Sequence, residues 1–264
     1  MKQIIKSNIE PEWPLIELEY EKPIELFIDS FMGFDSRRDT YKILYVKEAE
    51  AISGFKKQVL EHYDKVDLVL TYDEEILAKC PNAKFMPFGT SWIHDYKFEK
   101  KYFMVSHLTG HKEMTEGHVL RKKIHYKQDR IKILKDFYIS KFGGVENFNA
   151  NPILGESKEP LFKSQFHICI ENSRQKNYFT EKVVDCFITK TVPIYWGCPN
   201  IGDFFDVNGV IIVDTFEDII KACNSLNPNS YESMHESIER NYETALKYAD
   251  LKENLKNKLI EYLK

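Results

Sequence analysis

The stretch Phe166-His-Ile-Cys-Ile-Glu-Asn-Ser-Arg-Gln-Lys-Asn-Tyr-Phe-Thr-Glu-Lys-Val-Val-Asp185 reads as a strand, a polar loop and the start of a helix. Phe166, Ile168 and Ile170 alternate as one face of a buried strand, which leaves Glu171 and Asn172 at its carboxyl end. In open α/β sheets that edge is where ligands bind. Thr180 is a good N-cap, so Glu181 and Lys182 fall in the first helical turn, with Val183, Val184, Phe187 and Ile188 as the buried stripe. Free N–H groups and the helix dipole favour a phosphate at such an end. Lys182 opposes that dipole, and a bound diphosphate would reverse the balance. Glu181 suits a ribose diol, because one carboxylate accepts from two vicinal hydroxyls. Taken alone, the Glu181–Lys182 pair also reads as a surface ion pair at a helix start.

Outward from this segment, short apolar runs alternate with helical patterns, the signature of an α/β architecture. Strands are expected at Ile24–Ile28, Ile43–Val46, Val66–Leu70 and Lys84–Pro87, with a helix at Phe55–His62. Further strands are expected at Tyr102–His107, Phe137–Ser140, Phe166–Ile170, Val192–Trp196 and Val210–Val213. Helices are expected at about Val119–Leu134, Glu181–Ile188 and Phe216–Cys223. The polar stretch Ser91–Lys101 breaks the apolar pattern and suggests two domains, residues 1–98 and 99–264, the second ending in C-terminal helices. In that tail Met234, Ile238, Tyr242, Leu246 and Leu251 recur at roughly helical spacing and predict a helical layer with a charged outer face.

Composition removes several classes. The 264 residues carry a formal charge of −4, so bulk attraction to nucleic acid is not indicated. The five cysteines are odd in number and form no C-x-x-C pair, and Cys169 and Cys186 sit in apolar surroundings as buried free thiols. A reducing compartment follows, and the N-terminus shows no apolar signal stretch, so a cytoplasmic location is expected, with peripheral membrane contact left open. There is no G-x-G-x-x-G or Walker loop, no H-E-x-x-H and no Asp-x-Asp, which disfavours dehydrogenase, kinase and metal-dependent transferase readings. His107 and His111 have i, i+4 spacing, but Gly110 and a strand-like run argue against a helical zinc pair.

The three runs FHICIEN, YFTEKVVDCF and VPIYWG, in that order between Phe166 and Phe205, closely resemble the motif of the α-1,3/4-fucosyltransferases, glycosyltransferase family 10. The resemblance implies a GT-B fold: two Rossmann-like domains facing across a cleft, here with a short N-terminal one and the donor held by the C-terminal one. It implies that Asn172, Tyr178, Glu181 and Lys182 contact a GDP-sugar, with Lys182 neutralising the diphosphate and Tyr178 lining the donor pocket. It also implies an arginine at the start of an upstream helix, where Arg121 stands, with Arg130 as the alternative.

An inverting transfer needs a general base. The family's base is a glutamate just after an N-terminal-domain strand, and by spacing from Tyr45 it corresponds to Glu48, with Glu50 the second candidate. Lys47 and Ala49 replace the glycine and asparagine that flank the family's glutamate. The resemblance thus implies an inverting transferase moving L-fucose from GDP-fucose, or another GDP-hexose, to a hydroxyl of a glycan or lipopolysaccharide-type oligosaccharide. No metal and no cofactor beyond the donor substrate are expected. The alternatives are a non-catalytic nucleotide-sugar or glycan-binding module and a transferase that uses a different nucleotide.

Overall fold

The computed structural model describes residues 2–5, 16–140, 153–154 and 157–263. The chain divides into two compact units, each with its own sheet.

The first unit comprises Met1–Phe88, Lys176–Tyr178 and Asp250–Lys264. An antiparallel pair, β1 (Lys2–Ile5) and β2 (Ile16–Glu19), precedes a four-stranded parallel sheet. That sheet runs β3 (Ile24–Ile28), β4 (Tyr41–Val46), β5 (Leu68–Thr71) and β6 (Ala83–Phe85) in simple order. The turn α1 (Glu50–Ser53) and helix α2 (Lys56–His62) join β4 to β5, and α3 (Glu74–Lys79) joins β5 to β6. Successive side chains of β4 serve opposite faces, as strand geometry requires. Leu44 and Val46 meet Val59 and Ile76 of the helices. Ile43 and Tyr45 join a second core on the other face. Both faces are therefore covered, the usual state of a parallel sheet with near-continuous apolar strands.

The second unit comprises Gly89–Gln175 and Phe179–Ala249. Its elements are β7 (Tyr102–Thr109), α4 (Glu116–Tyr126), β8 (Lys135–Ser140), β9 (Ile153–Leu154), β10 (Ser164–Ile170), α5 (Glu181–Ile188), β11 (Val192–Trp196), β12 (Ile211–Ile212), α6 (Phe216–Ser225) and α7 (His235–Ala249). All the pairings are parallel, in the order β12-β11-β10-β7-β8-β9. From β7 the chain builds outward through β8 and β9, then returns to β10 on the other side and continues to β11 and β12. The direction of winding reverses between β7 and β10, which makes their carboxyl ends the topological switch point of the sheet. Phe166, Ile168 and Ile170 of β10 pack with Ile124 of α4 and Ile219 of α6, and Cys169 packs with Val183 and Phe187 of α5.

The helix α5 starts and ends where the sequence predicts, with Thr180 accepting from the Lys182 N–H as N-cap. Three expectations need correction. The helix expected at Val119–Leu134 begins at Glu116, because the Thr115 side chain caps it by accepting from the His118 N–H, and it gives way to a 3-10 turn at Gln128–Arg130. In α7 the buried face is Ser237, Ile238, Asn241 and Ala245, while Leu246 is exposed. A buried asparagine turns this stripe: Asn241 accepts from the Asp206 N–H at 2.7 Å and donates to the Asp206 carbonyl at 2.9 Å.

The third concerns the domain limits. The division falls after Phe88 instead of residue 98, because the polar segment that follows is tied to the second unit. Ser91 N–H donates to the Ala249 carbonyl at 3.1 Å, and the Ser91 hydroxyl donates to Asp185 at 2.8 Å. The last helix, α8 (Leu251–Tyr262), belongs to the first unit, where Leu251, Leu255 and Leu259 complete the core built on Ile16, Ile43 and Leu70. No helix among the described residues is long and apolar enough to cross a membrane.

Leu255 is fully buried in that core. Leu255→Ala is expected to destabilise the first unit by about 2–5 kcal/mol through lost transfer energy and a residual cavity. Urea unfolding of the two forms checks this, and an unchanged midpoint would contradict the packing of α8.

Candidate active site

At the switch point of the second sheet, the end of β10 is gripped by two helices. Helix α4 approaches so closely that a Cβ on Gly117 would lie 1.8 Å from the Glu171 carbonyl oxygen, so only glycine fits there. One turn on, Arg121 reaches back over the strand end. It donates through Nη1 to the Ile170 carbonyl at 2.5 Å and through Nη2 to Asn172 Oδ1 at 2.9 Å. On the other side the buried Glu171 carboxylate accepts from the Thr180 N–H at 2.9 Å and from its hydroxyl at 2.8 Å, which fixes the start of α5. Burial pushes the Glu171 carboxyl up from its ordinary value, while Lys182 opposes the shift. Gly197, just after β11, also has to be glycine, since a Cβ would meet Glu171 Cγ at 2.6 Å.

A cavity of ≈360 Å³ opens within this unit at the carboxyl ends of β7 and β10. Arg121, Asn172, Glu181 and Lys182 all line it, as do Lys112, Lys158 and Asp185. Four cations and two carboxylates thus face the space, an excess of two positive charges. The amino ends of α4 and α5 add the positive poles of two helix dipoles. His118 reports the same field: burial and its neighbours Arg121, Lys112 and Lys182 hold its imidazole down to about 4, so it is neutral at physiological pH.

The charged groups form a chain. Lys182 Nζ lies 3.1 Å from Glu181 Oε1 and 3.8 Å from Glu171. Lys158 Nζ lies 3.5 Å from Glu181 and 3.1 Å from Asp185. Burial works to raise the Glu181 carboxyl, but Lys182 and Lys158 outweigh it and hold it at about 2. Asp185 is raised by burial against the pull of Lys158, and it also accepts from the Trp92 N–H at 2.8 Å. The Trp92 ring, 60% exposed, covers Lys158 with Nζ 4.0 Å from its centroid and borders the cavity.

Glu48 and Tyr178 lie together in the first unit. The Tyr178 hydroxyl donates to Glu48 Oε1 at 3.1 Å, and its buried ring packs on Tyr72 with centroids 5.2 Å apart. Among the described residues Tyr178 is not part of the cavity wall. Glu50 accepts from the Lys56 N–H at 2.8 Å. Arg130 is exposed, paired with Glu217 at 2.6 Å, and does not line the cavity. His107 is buried with its ring nitrogens 3.2 Å from the Ile168 and Arg121 carbonyls. All five cysteines are buried free thiols. Sequence reasoning missed Lys158, Asp185, Trp92 and Gly117. Asp185 stands inside the motif, and Gly117 could have been found as a glycine in a first helical turn. Nothing local marks Lys158 or Trp92.

Two parallel sheets with helices, and a cationic cavity at a switch point, define an α/β protein with the GT-B fold of glycosyltransferases. Over 90% of its length the chain superposes on 76% of an alpha1,3-fucosyltransferase crystallised with GDP, at 16% identity and a TM-score of 0.53. It also resembles TarM (TM-score 0.60, 16% identity, 91% of this chain and 54% of that one). The pneumococcal O-GlcNAc transferase GtfA, in complex with UDP and GlcNAc, gives a TM-score of 0.57 at 14% identity, with 90% of this chain and 57% of that one covered. Residues 99–254, more than half of the chain, match the family described as glycosyltransferase family 10 (fucosyltransferase) C-term. The chain belongs to glycosyltransferase family 10. A stretch of 64 residues is 34% identical to the alpha-(1,3)-fucosyltransferase FucT of Helicobacter pylori, covering 24% of this chain and only 13% of that relative.

The depressed Glu181 carboxyl has a consequence for acid stability. A group whose folded pKa is lowered stabilises the fold fully above its unfolded value and loses that contribution as pH falls through the folded one. Stability is therefore expected to drop between pH 4.5 and about 2. Denaturant titrations across this window should show a shallower drop for Glu181→Gln, and identical slopes would contradict the assigned pairing.

Proposed function

We propose that this chain is an inverting sugar transferase that moves L-fucose from GDP-fucose to a hydroxyl of a glycan or lipopolysaccharide-type oligosaccharide. The observation that carries the reading is the cavity's excess of two positive charges at the ends of α4 and α5, which suits the diphosphate of a nucleotide-sugar. Membership of a family described as fucosyltransferases supports fucose as the sugar, and the likeness to a fucosyltransferase crystallised with GDP supports the nucleotide.

Arg121 presents a planar fork to phosphate oxygens, already oriented by the Ile170 carbonyl and Asn172. Lys182 gives up part of its contact with Glu181 to the diphosphate, and Glu181 takes the donor's vicinal hydroxyls. Glu48 is the base. Its Oε1 is occupied by the Ala49 N–H at 2.9 Å and by the Tyr178 hydroxyl, and among the described residues Oε2 has no partner. The acceptor hydroxyl passes its proton to that oxygen while the hydroxyl oxygen attacks the anomeric carbon. The bond from that carbon to the phosphate oxygen breaks, and GDP leaves with the electron pair. The cations around the cavity take up the developing charge, so the reaction proceeds without a metal ion. Five free thiols favour a reducing, cytoplasmic setting.

Calorimetry tests the donor site. GDP and GDP-fucose are expected to bind the folded wild type, more tightly than UDP, and equally with excess EDTA. Lys182→Ala and Arg121→Ala should each weaken binding about tenfold or more, the loss of a charge-assisted contact. Absence of GDP binding, or a preference for UDP, would overturn the donor assignment. Turnover of GDP-fucose lost in Glu48→Gln separates a transferase from a binding module.

A further inference from the structure

The strand ends of the first sheet show a second arrangement. Asp29 follows β3 directly, and its N–H donates to the Tyr45 carbonyl at 3.0 Å, so the residue is still pinned to β4. Its backbone then turns into the left-handed region, with φ +46°. Aspartate tolerates that region better than most residues but still pays for it in strain. The turn carries the carboxylate across to the exit of β4, where Oδ1 accepts from the Lys47 N–H at 2.8 Å and from the Glu48 N–H at 3.2 Å. These are the two amides that β4 leaves behind as its chain departs from the sheet.

The remaining contacts of Glu48 come from other elements. The Tyr72 hydroxyl, at the end of β5, donates to the Glu48 carbonyl at 3.2 Å. Tyr178 and the Ala49 N–H take Oε1. The main chain of Glu48 is thus held on its N–H side by Asp29 and on its carbonyl side by Tyr72, while the carboxylate is aimed by Tyr178. Burial pushes the Asp29 carboxyl up to about 6, and the Glu48 and Lys47 amides pull it back. A half-buried carboxylate in a left-handed residue combines two local costs, and the only groups it engages among the described residues are these two amides.

We propose that Asp29 is a positioning residue: it fixes the Lys47–Glu48 backbone and thereby sets the direction of the Glu48 carboxylate. The inference rests on the reading of Glu48 as the base. It explains why Lys47 and Ala49 can replace the glycine and asparagine that flank the family's glutamate, since the turn is held by a side chain from the neighbouring strand.

The substitutions separate positioning from folding. Asp29→Gly removes the acceptor and also relieves the left-handed backbone, so the fold is not strained by the change. Asp29→Asn keeps an Oδ1 acceptor and tolerates the same φ. Release of GDP from GDP-fucose is measured with water and with an oligosaccharide acceptor as nucleophile, alongside GDP binding and amide exchange. For Asp29→Gly the expected result is unchanged GDP affinity, kcat lower by about 10²-fold and faster exchange at Lys47 and Glu48. Asp29→Asn should regain about tenfold or more of that loss, with slow exchange restored. If Asp29→Gly does not fold, Asp29→Ala takes its place in the same assays. A folded Asp29→Gly with wild-type kcat overturns the proposal. So does Asp29→Asn that is as slow as Asp29→Gly while its amides stay protected. Glu48→Gln with full turnover instead overturns the base reading itself, and loss of GDP binding by wild type overturns the donor reading, so the three failures are distinguishable.

Discussion

The contact on which the second unit depends is the grip of Arg121 on the end of β10. Its guanidinium donates to the Ile170 carbonyl and to Asn172 Oδ1, and the approach is open only because Gly117 lets α4 touch the Glu171 backbone. A side chain at Gly117 would push the helix away and lift Arg121 off the strand. On the opposite side Glu171 holds Thr180 and so the start of α5. One strand end is thus clamped by two helix starts, and the space left between them is the cavity. The starts of both helices border that cavity through His118, Glu181 and Lys182.

The same clamp makes the site electrostatically expensive. Burying charges costs more than their mutual attraction returns unless each is well paired. The chain Glu171–Lys182–Glu181–Lys158–Asp185 pairs every carboxylate with at least one ammonium within 4 Å. Arg121 and Lys112 stand outside that chain and leave the excess of positive charge in the cavity. That excess favours an anionic ligand, and this is the physical reason for the proposed donor chemistry. The first unit uses a different device. It immobilises one glutamate through Asp29, Tyr72 and Tyr178.

Much of this was legible in the sequence because it is local. Strand β10, the cap at Thr180 and helix α5 follow one another between Ser164 and Ile188, and each obeys a simple spacing rule. Arg121, Asn172, Glu181 and Lys182 do meet in one cavity. What was hidden depends on contacts distant in sequence. The start of α4 sat in a polar stretch whose only marker was Thr115. The face of α7 is turned by Asn241, a polar residue whose burial is justified only by the Asp206 backbone. The sequence groups the C-terminal helices with the second domain, yet the leucines of α8 fill the core of the first unit. Lys158 enters the site because Asp185 and Glu181 draw it in, and Asp29 acts on a turn eighteen residues away. No periodicity encodes such pairings.

The most direct measurement is a crystal structure of the protein with GDP. The diphosphate is expected in the cavity at the carboxyl ends of β7 and β10, with phosphate oxygens within hydrogen-bond distance of the Arg121 guanidinium and the Lys182 ammonium. A diphosphate bound elsewhere, with the Arg121 and Lys182 side chains contacting only protein, would contradict it.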